Sequence, residues 1–108
     1  MVVIVFRSRI RESVDLSEVG RMGERMYALA SAMPGFVSYK DFAAADGENV
    51  SIVEFESHDT LLAWRNHPEH AEVQRRGREA VFAEYHIQVC DTVRDYAFAL
   101  TAPTPTTH

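Results

Sequence analysis

Near the start of the chain, Val2-Val3-Ile4-Val5-Phe6 forms an unbroken run of β-branched and aromatic residues. Side chains of a strand alternate between its two sides, so a run like this reads as a strand buried on both faces. Arg7-Ser8-Arg9-Ile10 continues it with a charge at every second place, so one face becomes wetter along its length. A strand of this kind needs a packed layer on each side, which sharply limits the folds open to a short chain. At 108 residues there is room for one domain and little for a second.

The remaining elements follow from periodicity. Asp15-Leu16-Ser17-Glu18 has the form of a capping box, and apolar residues then recur at Leu16, Val19, Met22, Met26, Leu29, Ala30 and Met33. Steps of three and four place them on one helical face. Pro34-Gly35 ends this helix, since proline disfavours a helical residue before it and glycine tolerates the turn. Residues 36–42 and 50–55 have strand composition, and Asp46-Gly47 between them is a hairpin signal. Ser57 is placed to cap a second helix running through Leu61, Leu62 and Trp64. Pro68 opens its continuation, predicted from Glu69 to about Phe82 with Val73, Gly77, Ala80 and Val81 on one face. Tyr85 to Tyr96 alternates Tyr85, Ile87, Val89 and Val93 with polar residues, as a half-buried final strand does. The expected organisation is one domain over residues 1–98 and a flexible Pro/Thr-rich tail over 99–108.

The order β-α-β-β-α-β is the split βαβ pattern of the ferredoxin-like α+β fold. It predicts a four-stranded antiparallel sheet with both helices on one face. The other face is then polar or covered, and the two-sided apolar first strand predicts cover by a second copy around a twofold axis.

Composition narrows the function. A net charge of −5 argues against nucleic acid, which needs a concentrated basic face. The one basic cluster, Arg75, Arg76 and Arg78, alternates with Glu72, Glu79 and Glu84 and reads as a salt-bridged, solvated helix face. Cys90 is the only cysteine, which excludes an intramolecular disulfide and multi-thiolate zinc sites. Cys90 itself reads as a small strand residue without an activating base. Arg7, Arg9 and Arg11 are misplaced for a signal peptide, and no run approaches the length of a membrane span. A cytoplasmic protein without membrane contact is expected.

Phe55-Glu56-Ser57-His58-Asp59-Thr60-Leu61-Leu62-Ala63-Trp64-Arg65-Asn66-His67-Pro68-Glu69-His70 resembles the second helix of antibiotic biosynthesis monooxygenase domains. Gln74, Gly77, the run Tyr85-His86-Ile87-Gln88-Val89-Cys90 and the turn Met33-Pro34-Gly35-Phe36 resemble the same domains, so the likeness covers residues 1 to about 98. The resemblance implies a homodimeric α/β barrel, with a ligand pocket in each subunit between sheet and helices, near the tryptophan. It also implies oxidation of a phenolic or quinol substrate by O2 without metal or flavin, or, in a related branch, haem breakdown. The hydroxyanthrone-oxidising branch has an asparagine where this chain has Thr60 and a tyrosine where it has His70. The haem-degrading branch has a histidine where this chain has Gln74 and an asparagine on the first strand, where this chain offers Arg7, so haem chemistry is disfavoured.

Cofactor-free oxygenation requires a base or hydrogen-bond donor beside dry apolar walls, because the substrate itself supplies the electrons. His70 and His67 titrate near neutrality and are candidate catalytic groups. Trp64 supplies a flat wall and an N–H donor, although a core anchor is the equal alternative. Candidate substrate-binding residues are Thr60, Trp64, Tyr85, Tyr39 and Arg7; for the two tyrosines, ordinary core packing is the competing reading. Arg7 and Arg9 share a strand face, where pairing with Glu54 and Glu56 competes with binding an acidic ligand. His67 and His70 are three apart with Glu69 between, but lack a third ligand, so no metal site is expected. The leading expectation is a cofactor-independent monooxygenase acting on a small aromatic, phenolic or quinol compound. A non-catalytic small-molecule-binding or stress-related dimer is the alternative.

Overall fold

In the structure, a computed structural model that describes residues 1–100, the doubly apolar strand β1 (Val2–Ile10) lies inside the sheet. It pairs with β3 (Asn49–Phe55) on one side and β4 (Phe82–Asp91) on the other, and β2 (Phe36–Ala43) lies beyond β3. All three pairings are antiparallel, so the sheet order is β2-β3-β1-β4. This is the ferredoxin-like α+β fold expected from the element order. The β2–β3 hairpin turns at Gly47, whose φ of 93° suits glycine.

Alternation along β1 sends Val2 and Ile4 to the helix side. There they join Val53 and Phe55 of β3, Leu29 and Ala30 of α1 (Leu16–Ser31), and Leu61 and Trp64 of α2 (His58–Arg65) in one buried cluster. Phe55 is fully buried, and a side chain of that size contributes about 3 kcal/mol by leaving water. The opposite face carries Val3 and Val5 beside their cross-strand partners Glu54 and Ile52, with Lys40 and Phe42 farther out. Phe42 is about half exposed, so this second face is partly apolar and uncovered in the single chain.

Four details depart from expectation. Asp15 caps α1 by accepting from the Ser17 amide, but Glu18 bonds Arg76 rather than completing a capping box. A charged partner across the structure outcompetes a backbone N–H. The reciprocal box forms instead at Ser57 and Thr60, each side chain accepting from the other's amide. The second helix breaks into α2 and α3 (Pro68–Arg76), and Gly77–Val81 is a π-helical turn rather than continuing α-helix. Arg11 holds that turn, its guanidinium donating to the carbonyls of Arg78, Glu79 and Phe82. β4 therefore starts at Phe82, earlier than Tyr85, and ends at Asp91, the partner of Val2 at the start of β1. Val93, Tyr96, Phe98 and Leu100 are consequently exposed beyond it. Residues 101–108, most of the expected tail, lie outside the described residues.

Arg7 and Arg9 do not pair with Glu54 and Glu56. Arg7 forms a two-point bond with Glu48, and Arg9 reaches Asp46 and Glu84. The hairpin folds back beside β1, which brings its turn carboxylates within reach. The cluster on α3 is salt-bridged as expected, with Arg75 bonded to Glu72 and Glu79.

Candidate functional site

Between the helix side of the sheet and the helices lies a cavity of about 910 Å³, lined by residues from every strand and helix. Its chemistry is concentrated where α2 meets α3. The Ser57 cap starts α2 so that Leu61 and Trp64, three apart, face the sheet. Pro68 restarts the helix at its first position and brings His70 round to the same interior. Trp64 stacks on Phe55 at 5.5 Å between ring centroids and meets Tyr39 edge-on at 6.4 Å. The His70 ring stands edge-on to the indole at 4.5 Å.

Both rings are more than nine-tenths buried, at 5% exposure for Trp64 and 8% for His70. Trp64 Nε1 and His70 Nδ1 have no hydrogen-bond partner among the described residues. Leaving a buried polar atom unpaired costs about 1–3 kcal/mol, so two such atoms on neighbouring rings stand out in an otherwise well-paired chain. Burial, reinforced by the positive charges of Arg65 and His67, pushes the His70 imidazole down to about 4. It is therefore neutral at physiological pH, with one ring nitrogen donating and the other accepting. An indole N–H only donates.

The rest of the cavity divides into apolar and polar stretches. Ile4, Phe6, Met26 and Val73 supply dry walls, and Gln74 adds an amide. On β2 and β3, Tyr39, Asp41 and Ser51 face inward together. Burial and then the Asp41 charge push the Tyr39 phenol up to about 12, against a smaller opposing effect of its hydrogen bond with Ser51. Tyr39 is thus a neutral wall at any working pH.

Of the residues singled out from the sequence, Trp64, His70, Tyr39 and Tyr85 line this cavity. Three do not. Thr60 is consumed by the α2 cap, its hydroxyl donating to the Ser57 carbonyl. His67 is the cap of α3, its Nδ1 accepting from the Glu69 amide. Arg7 follows Phe6 and precedes Ser8, both of which face the cavity, so it projects from the other side of the sheet. Asp41, Ser51 and Gln74 were not marked as site residues. The period of two from Tyr39 to Asp41, and the helical step of four from His70 to Gln74, carry the signal for two of them. Among the described residues, no group of three or more His, Cys, Asp or Glu side chains is placed to hold a metal ion. No described helix is long and apolar enough to cross a membrane.

Comparison with known proteins fits this geometry. YqjZ of Bacillus subtilis (strain 168) is 32% identical over 79 residues, covering 73% of this chain and 69% of that one. The structure of Rv0793 from Mycobacterium tuberculosis superposes with a TM-score of 0.78 at 21% identity, covering 89% of this chain and 98% of that chain. SnoaB, a cofactor-independent oxygenase from Streptomyces nogalater, superposes with a TM-score of 0.72 at 18% identity, covering 87% of this chain and 94% of that chain. At such identities the superpositions speak for the fold. The family model for antibiotic biosynthesis monooxygenase matches residues 1–76, through β1, α1, the hairpin, α2 and α3. The chain belongs to the antibiotic biosynthesis monooxygenase family.

Proposed function

We propose that this protein is a cofactor-independent monooxygenase that oxidises a small aromatic phenol or quinol with O2 inside the cavity beside Trp64 and His70. The observation that carries the reading is the pair of buried, unpartnered nitrogens, a donor and an acceptor, set in a dry wall. The fold likeness to the oxygenase SnoaB supports the same reaction class.

The chemistry balances without an outside reductant. A phenol converted to a quinone gives up four electrons, which reduce O2 so that one oxygen atom enters the ring and the other leaves as water. Electron transfer to O2 starts from the phenolate, so the proton has to leave the hydroxyl. His70 is neutral and has its lone pair available, and the phenolate formed beside it supplies the counter-charge that holds the imidazolium. Trp64 Nε1 donates to the same oxygen and stabilises it as charge develops. The apolar walls exclude water from the reactive anion.

Sheet pairing between two copies, closing the barrel over Val3, Val5, Ile52 and Phe42, belongs to this reading; the partly apolar open face supports it. So do a domain ending near residue 98 and a reducing, cytoplasmic setting, the latter supported by the exposed free thiol of Cys90.

Oxygen uptake with a panel of anthrones and hydroquinones tests the proposal. Removing the base in His70→Phe lowers kcat/KM about a hundredfold, and removing the donor in Trp64→Phe lowers it about tenfold. Uptake that is absent, or unchanged in both variants, overturns the reading. Tight binding without consumption under air points to a non-catalytic binding protein instead.

A further inference from the structure

The cavity is not polar at one end only. Tyr39 and Asp41 of β2 and Val53 and Ser51 of β3 are cross-strand neighbours whose side chains all face it. Ser51 Oγ donates to Asp41 Oδ1 at 2.5 Å, which fixes the carboxylate. A carboxylate accepts through two oxygens with several lone pairs, and Ser51 occupies one. Glu24 lines the cavity at the same end: it lies one turn before Tyr27, whose ring meets Tyr39 at 5.8 Å. At the other end the indole N–H of Trp64 is joined by the cation Arg65. Positive charge thus stands at one end, and negative charge at the other.

The two ends are well separated. Trp64 stacks over Phe55, and Ser51 is four residues back along the same strand, which places the rungs about 13 Å apart. A single benzene ring does not bridge that distance with two oxygens.

We propose that Asp41, held by Ser51, is a second binding pole that receives a hydroxyl or amine hydrogen at the far end of the substrate, and so selects elongated aromatics with a hydrogen-bonding group at each end. This rests on the reading of the cavity as an aromatic binding site, and it adds the polarity of the ligand.

Trp64 is the only tryptophan, so its fluorescence reports ligand directly. The probes are para-phenylphenol and its para,para′-diol. In the wild type the diol binds about tenfold more tightly than para-phenylphenol, the value of a hydrogen bond to a charged acceptor. In Asp41→Ala the two phenols bind within about twofold of each other. A diol preference that is missing from the wild type, or that survives Asp41→Ala, overturns the second pole and leaves the aromatic site standing. If none of the probes quenches Trp64, the aromatic site itself fails and the second pole with it.

Discussion

Lowering the pH from 7 to 5 is expected to destabilise the protein through one residue, His70. Its imidazole titrates near 6.5 when exposed in the unfolded chain and near 4 when buried beside Trp64 and close to Arg65. As pH falls, the unfolded state takes up the proton first and the equilibrium moves toward it. The stabilisation tied to the neutral ring is therefore complete above about pH 7, is mostly lost as pH falls from 6.5 to 4, and levels off below about pH 3. For that pair of values the loss is about 2 kcal/mol by pH 5 and about 3 kcal/mol by pH 4. Four paired carboxylates stay ionised at pH 5. Asp15, bonded by Ser17, and Asp46, bonded by the Glu48 amide, are held below their usual range. So are Glu69, bonded by Arg25, and Glu72, bonded by Arg75. Urea unfolding followed by circular dichroism at both pH values reads the loss directly. His70→Phe removes the titrating group while keeping a ring against Trp64, and its stability changes by less than about 0.5 kcal/mol over the same interval. Equal losses in the wild type and His70→Phe would refute the assignment of a neutral, buried imidazole.

Three further outcomes follow from the geometry. Gly35 sits at a φ of 81°, and a Cβ there would lie 2.5 Å from Thr60 Cγ2; Gly35→Ala therefore lowers the melting temperature by roughly 10 °C, read by differential scanning calorimetry. A Cβ at Gly77 would come within 2.7 Å of the Phe82 ring in the cavity wall, so Gly77→Ala shifts that ring and weakens phenol binding measured by Trp64 quenching. Arg7→Ala and His67→Ala leave the same binding curve within about twofold, because neither side chain faces the cavity.

The fold was legible because each element carries its own period. The β-branched run Val2–Phe6, the steps of three and four from Leu16 to Met33, and the Asp46-Gly47 turn are local signals that the packed structure reinforces. The Trp64–His70 pair was legible too, because Pro68 restarts a helix between them at a fixed offset. Thr60 and His67 looked like site residues for the same reason, yet short polar side chains near a helix start bond their own backbone first. The cap at Ser57 and the cap at His67 absorb them. Arg7 was excludable by parity once Phe6 faces inward. Asp41 follows from Tyr39 by the period of two, but Ser51 depended on something no local pattern states, the cross-strand register, which a shift between Phe36 and Ser38 sets in the β2–β3 pair. The break at Gly77 was equally hidden, since Arg11, far away in sequence, supplies the donors that hold the π turn.

The most direct test of the central claim is turnover under heavy-isotope O2, with the product and the water analysed by mass spectrometry in wild type and His70→Phe. The account predicts one labelled oxygen atom in the quinone product and the other in water, with product formation depending on His70. Product carrying no label, or label incorporated equally well by His70→Phe, would contradict it.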